Sequence, residues 1–153
     1  MSFSLKSAAF TEGAPIPQRN TCDGANASPP LTWSGQPEAA KSFALITDDP
    51  DAPSGTFTHW VVVDVPAAQK ELPEGQHPGG IGVSGRNDFG KIGYGGPCPP
   101  KGHGPHRYYF TLWALDVPSL GLKEGASRET VEGKMKGHVL ATARLMGKYE
   151  RRR

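Results

Sequence analysis

Apolar residues in this chain come in short dense runs, separated by stretches of glycine, proline and polar side chains. Phe43 to Thr47 (F-A-L-I-T) has strand length and is stopped by Asp48-Asp49-Pro50-Asp51-Ala52-Pro53. Thr58 to Val65 is rich in β-branched and aromatic side chains and ends at Pro66. His106 to Val117 repeats that pattern and ends at Pro118. All three read as buried or half-buried strands. The segment joining the first two is too short for a crossover helix, so they pair as an antiparallel hairpin. One main helix is expected. It starts at the N-cap Ser127, with Glu129 in its first turn, and the apolar spacing of Val131, Met135, Val139 and Thr142 carries it to about residue 142. From Ala143 to Tyr149 the period shortens to two, which predicts a closing strand. Residues 79–104 hold so many glycines and prolines that they must form one long ordered loop, of the kind that is usually functional.

Composition agrees with that reading. A chain of 153 residues fits a single domain spanning residues 1–153. Its 20 glycines and 15 prolines mark many turns between short strands. With net charge +2 and no shortage of apolar residues, disorder is excluded. The expected class is mainly β: a sandwich of two antiparallel sheets with one or two peripheral helices.

No apolar run approaches the roughly 20 residues of a membrane helix. The start, Met1-Ser2-Phe3-Ser4-Leu5-Lys6, lacks a signal-peptide pattern, so a cytoplasmic location is the default expectation. Cys22 and Cys98 are too few for a disulfide framework, and their pairing is left open. Basic residues gather late, ending in Arg151-Arg152-Arg153, which reads as a frayed, solvated terminus. No interleaving of basic and aromatic residues supports a nucleic-acid partner.

The chemistry concentrates at strand ends. The hairpin puts Asp49 and Asp51 at the exit of one strand and His59 at the entry of its neighbour, on one rim. His106 opens its own strand directly after the Gly/Pro loop and joins that rim if the strand enters in the matching direction. Imidazole N–H groups donate to an anion, and a carboxylate behind them fixes the tautomer. Pro50, Pro53, Pro99 and Pro100 freeze φ and give a pre-ordered wall.

Taken together, Asp49-Pro50-Asp51-Ala52-Pro53, His59 before a Val-rich strand, and Pro99-Pro100-Lys101-Gly102 with His106-Arg107-Tyr108 resemble the signature regions of the phosphatidylethanolamine-binding proteins, also called Raf kinase inhibitor proteins. Thr21-Cys22-Asp23-Gly24, Ser28 to Trp33 and Arg86 to Gly90 are similar to the bacterial and archaeal branch. The resemblance implies a small anion pocket lined by Asp49, His59, His106 and Tyr108, with Asp51, Pro53, Trp60, Pro99 and Pro100 shaping its wall. It implies phosphate-like or carboxylate ligands, such as phosphorylethanolamine, and no dependable catalysis. Members act as inhibitors or scaffolds for kinases or peptidases, and bacterial members suggest a homodimer. Cys98 stands where the eukaryotic branch has glycine, which sets a thiol beside the anion.

The reading is therefore a non-enzymatic anion-binding protein with no cofactor and no metal. The alternative is a hydrolase using the same pocket, either metal-assisted through His59, His106, Asp49 and Asp51 or with Cys98 as nucleophile.

Overall fold

In the computed structural model, which describes residues 2–152, the chain is mainly β. A three-stranded antiparallel sheet has the order β1 (Ser4–Lys6), β2 (Leu31–Ser34), β5 (Glu71–Leu72). A five-stranded antiparallel sheet has the order β6 (Val83–Ser84), β4 (Phe57–Pro66), β3 (Ser42–Asp49), β7 (His106–Leu115), β8 (Val139–Tyr149). The one α-helix among the described residues, α1 (Arg128–Met135), packs on the outer face of the larger sheet.

The three apolar runs become β3, β4 and β7, the centre of the large sheet. Because both faces of that sheet are covered, β3 is buried almost throughout and reads as an unbroken apolar run rather than an alternating one. Phe43, Leu45, Trp60, Val62, Phe110 and Leu112 face the small sheet and meet Leu5, Leu31, Trp33 and Leu72. Ala44, Ile46, Val61 and Val63 face the other way and are sealed by Leu120, Val131 and Met135. The hairpin is antiparallel as expected, with Ile46 paired to Val61.

The helix is shorter than its apolar spacing predicts. Ser127 caps it, accepting a hydrogen bond from the Thr130 N–H. It ends at Met135 because Gly137 takes φ +85°, the left-handed conformation that terminates helices. Val139 and Thr142, expected on the helix, pair with Leu115 and Trp113 in the β7–β8 ladder. The long loop is ordered as expected, although β6 lies within its first part. Asn87, buried, anchors it: the side chain donates to the Gly93 carbonyl and accepts from the Phe89 and Lys91 N–H groups.

Cys22 and Cys98 form a disulfide. It joins the long loop to the segment after the first turn, and three hydrogen bonds reinforce it: Cys22 N–H to the Pro97 carbonyl, Gly96 N–H to Asn26 Oδ1, and Tyr94 Oη–H to the Asn20 carbonyl. The C-terminal residues are also held rather than frayed. The Arg151 carbonyl accepts from the Gly102 N–H at 2.6 Å, and its guanidinium lies 3.2 Å from Asp23 Oδ1. Arg153 falls outside the described residues.

Candidate functional site

Three strand ends meet at one edge of the large sheet. Asp49 closes β3, Phe57 and His59 open β4, and His106 and Tyr108 open β7. Residues 52–54 of the β3–β4 connection and Phe89, Cys98, Pro99 and Pro100 of the long loop complete the wall. They enclose a hollow of about 250 Å³, just under the roughly 300–1,000 Å³ that holds a drug-sized ligand.

His59 reaches this hollow through a β-bulge. Thr47 pairs with Trp60 and Asp48 with Thr58, which leaves His59 as the extra residue. Bulges of this kind re-aim a side chain. The His59 Nδ1–H donates to the Gly95 carbonyl at 2.7 Å, which fixes the tautomer. That approach needs glycine at position 95, where a Cβ would come within 2.4 Å of the Phe89 ring. Burial pushes the His59 pKa below its ordinary value, against a smaller opposing pull from the Gly95 carbonyl and the Asp49 charge. Its ring meets Tyr108, Phe57 and Phe89, all at 4.9–5.4 Å between centroids.

His106 is set by its neighbours on both sides. Its Nδ1–H donates to Asp49 Oδ2 at 2.7 Å, since a carboxylate only accepts. Its Nε2 lies 2.6 Å from Nδ1 of His103. Asp49 Oδ1 in turn accepts from the Asp51 N–H at 2.8 Å. Tyr108 Oη, by contrast, is buried and meets no acceptor in ordinary hydrogen-bond geometry among the described residues, although the Asp49 carboxylate lies close enough to act on it. Burial, and next the nearby Asp49 charge, raise its pKa and keep the phenol neutral.

The sequence reading needs three corrections here. The histidines do not stand exposed on a rim: His59 and His106 are only 3% and 1% accessible and form the floor beneath it. Two of the ten expected residues do not line the hollow. Asp51 turns outward, where Arg107 grips it bidentately at 2.8 and 2.9 Å and holds its carboxyl down to about 2. Trp60, next to the bulge, is directed into the sandwich core against Tyr94. Cys98 is no thiol, since its sulfur is bonded to Cys22. Asp49, Pro53, His59, Cys98, Pro99, Pro100, His106 and Tyr108 do come together.

Sequence reasoning missed Phe57, Phe89 and His103. Phe57 was within reach, because it precedes His59 by two on a strand and so shares its face. Phe89 and His103 sit in irregular backbone, where no periodicity announces them. Among the described residues no three His, Cys, Asp or Glu side chains gather as a metal cage, and no helix is long and apolar enough to cross a membrane.

A family model for phosphatidylethanolamine-binding proteins matches residues 6–150. The chain belongs to this family. Relatives include the UPF0098 protein of Aquifex aeolicus, 55% identical over 149 residues, covering 95% of this chain and 86% of that one. The UPF0098 protein YbcL of Escherichia coli is 45% identical over 136 residues, covering 84% and 74%. Among solved structures, a phosphatidylethanolamine-binding protein homologue from Chlamydia trachomatis superposes with TM-score 0.91 at 43% identity, covering 98% of each chain. The YbcL crystal structure, described as a member of the mammalian family, gives 0.90 at 39%, covering 98% and 99%. The fold of this family member is thus the family's own.

Proposed function

We propose that the protein binds a small oxyanion, inorganic phosphate or the phosphate of a headgroup such as phosphorylethanolamine, in the hollow floored by Asp49, His59, His106 and Tyr108. The observation carrying this reading is the Tyr108 hydroxyl. A buried donor without a partner is costly, and this one lies in the wall of a small concave site whose other polar groups are rigidly oriented. An anionic oxygen satisfies it. The proline-rich wall, tied down by the disulfide, keeps the hollow in its binding shape before the ligand arrives, which reduces the entropic cost of binding.

The hydrolase alternative loses its support. Cys98 is bonded to Cys22 and offers no thiolate, and Asp51 is engaged with Arg107 rather than facing the hollow. A binding protein is the better reading. The rigid rim of Ala52–Ser54, Phe89 and Pro99–Pro100 is the surface through which a kinase or peptidase target, as the family implies, would sense the occupied hollow. The disulfide favours an oxidising compartment over the cytoplasmic location expected from the N-terminus.

Calorimetric titration with inorganic phosphate and phosphorylethanolamine at pH 6 and pH 8 tests the proposal. Binding heat is expected at pH 6 and weaker binding at pH 8, because the ligand phosphate keeps a proton at the lower pH and so brings less negative charge against the Asp49 carboxylate. Silence from both ligands at both pH values would remove the proposal.

A further inference from the structure

The ligand class narrows once each polar atom facing the hollow is assigned as a giver or receiver of protons, a step that rests on the oxyanion reading above. His106 contributes little to the hollow in this state. An imidazole nitrogen has one in-plane direction for a hydrogen bond, and both of its nitrogens are taken, Nδ1 by Asp49 and Nε2 by His103. Asp49 is likewise engaged at both oxygens, by His106 and by the Asp51 N–H. It leaves a carboxylate, a repulsive group for any dianion, in the wall. Among the described residues, no lysine or arginine lines the hollow.

His59 and Tyr108 remain. With its Nδ1–H committed to the Gly95 carbonyl, neutral His59 has a bare lone pair on Nε2. Nε2 is an acceptor. The unpartnered Tyr108 hydroxyl, 1% accessible as a residue, is a donor. The two rings touch at 5.3 Å, so one small ligand spans both.

We infer that the hollow selects a tetrahedral oxyanion that still carries a proton, hydrogen phosphate or the monoanion of a phosphate monoester, over one that carries none, such as sulfate, with His59 as the residue that discriminates. The P–O–H of the ligand donates to His59 Nε2 while a second, anionic oxygen accepts from Tyr108. Sulfate has the size, shape and charge of hydrogen phosphate but no proton to give. It sets an oxygen lone pair against the nitrogen lone pair in a buried site, a mismatch that desolvation makes expensive. Sites built to pair a substrate O–H reject analogues lacking it more strongly than shape alone allows.

The test is a pair of titrations at pH 7.5, with inorganic phosphate and with sulfate. Phosphate is expected to bind about tenfold more tightly or better. Equal affinity for the two overturns the discrimination and leaves oxyanion binding standing. Absence of phosphate binding overturns the oxyanion reading itself, and this inference with it. In His59→Gln the carboxamide can rotate to present N–H₂, so the phosphate-to-sulfate ratio should fall towards one. A second readout, independent of that variant's folding, is the ¹⁵N spectrum of the His59 ring in wild-type protein saturated with phosphate. Nε2 is expected to be an unprotonated acceptor, and a protonated Nε2 at pH 7.5 overturns the inference.

Discussion

Removing one oxygen atom, by Tyr108→Phe, should make the ligand-free protein more stable and its ligand weaker. The ring stays, with its contacts to His59 at 5.3 Å and His106 at 6.4 Å, so packing is nearly unchanged. What disappears is a buried hydroxyl with no acceptor in ordinary hydrogen-bond geometry among the described residues. Such a group costs about 1–3 kcal/mol in mutational series. Recovering about 1 kcal/mol of that raises Tm by about 2–4 °C in a chain of this size. The ligand loses a hydrogen bond from a neutral donor to a charged acceptor, worth about 1.5–3 kcal/mol, or about 10- to 150-fold in Kd. Thermal unfolding without ligand and phosphate titration calorimetry give the two numbers. A variant that unfolds more easily than wild type would show that the hydroxyl has a structural partner. Unchanged phosphate affinity would show that no ligand oxygen meets it. Either result refutes the reasoning, because only a donor held ready for a ligand predicts opposite signs in the two assays.

Four further outcomes follow from the same geometry. The disulfide closes a separation of 76 residues, so Cys22→Ser/Cys98→Ser should lose about 4.5 kcal/mol by loop entropy, read as a lower urea midpoint that added reductant reproduces only in wild type. His106→Ala leaves the buried Asp49 carboxylate without its imidazole and should cost about 3 kcal/mol in denaturant unfolding, whereas a truly rim-exposed histidine would cost almost nothing. Burial depresses the pKa of His59, so the unfolded chain takes up that proton first: stability is full above about pH 6.5 and declines as pH falls. Urea midpoints from pH 7.5 to 5 should show the decline in wild type and a shallower one in His59→Gln. Asp51 is held at about 2 by the Arg107 hydrogen bonds, so its stabilising effect is present above about pH 3.9 and is lost as pH falls towards 2. In Arg107→Ala the carboxyl, followed by NMR, should titrate near 3.9.

The sequence by itself determined the centre of the large sheet. The runs that became β3, β4 and β7 are long, apolar and rich in β-branched residues, and burial on both faces leaves such segments no other stable use. It also brought Asp49 and His59 to one edge, because strand ends follow directly from the hairpin, but left His106 conditional on the direction of its strand, which the antiparallel β3–β7 pairing decides. The small sheet escaped notice for the opposite reason: β1, β2 and β5 are two to four residues long, too short for a period of two to show. At the helix the apolar spacing continued past Met135, and the true signal was Gly137, a backbone permission rather than a pattern. Only the tertiary structure decided where side chains point. A one-residue bulge sets His59 in the floor of the hollow while neighbouring Trp60 packs into the core, and Arg107 draws Asp51 outward. The separation of 76 positions between the cysteines carries no sign that they meet. Pairing along a strand is a local, periodic property of the chain, whereas bulges, irregular loops and a disulfide across the fold depend on contacts between distant segments, which exist only after the whole sandwich has closed.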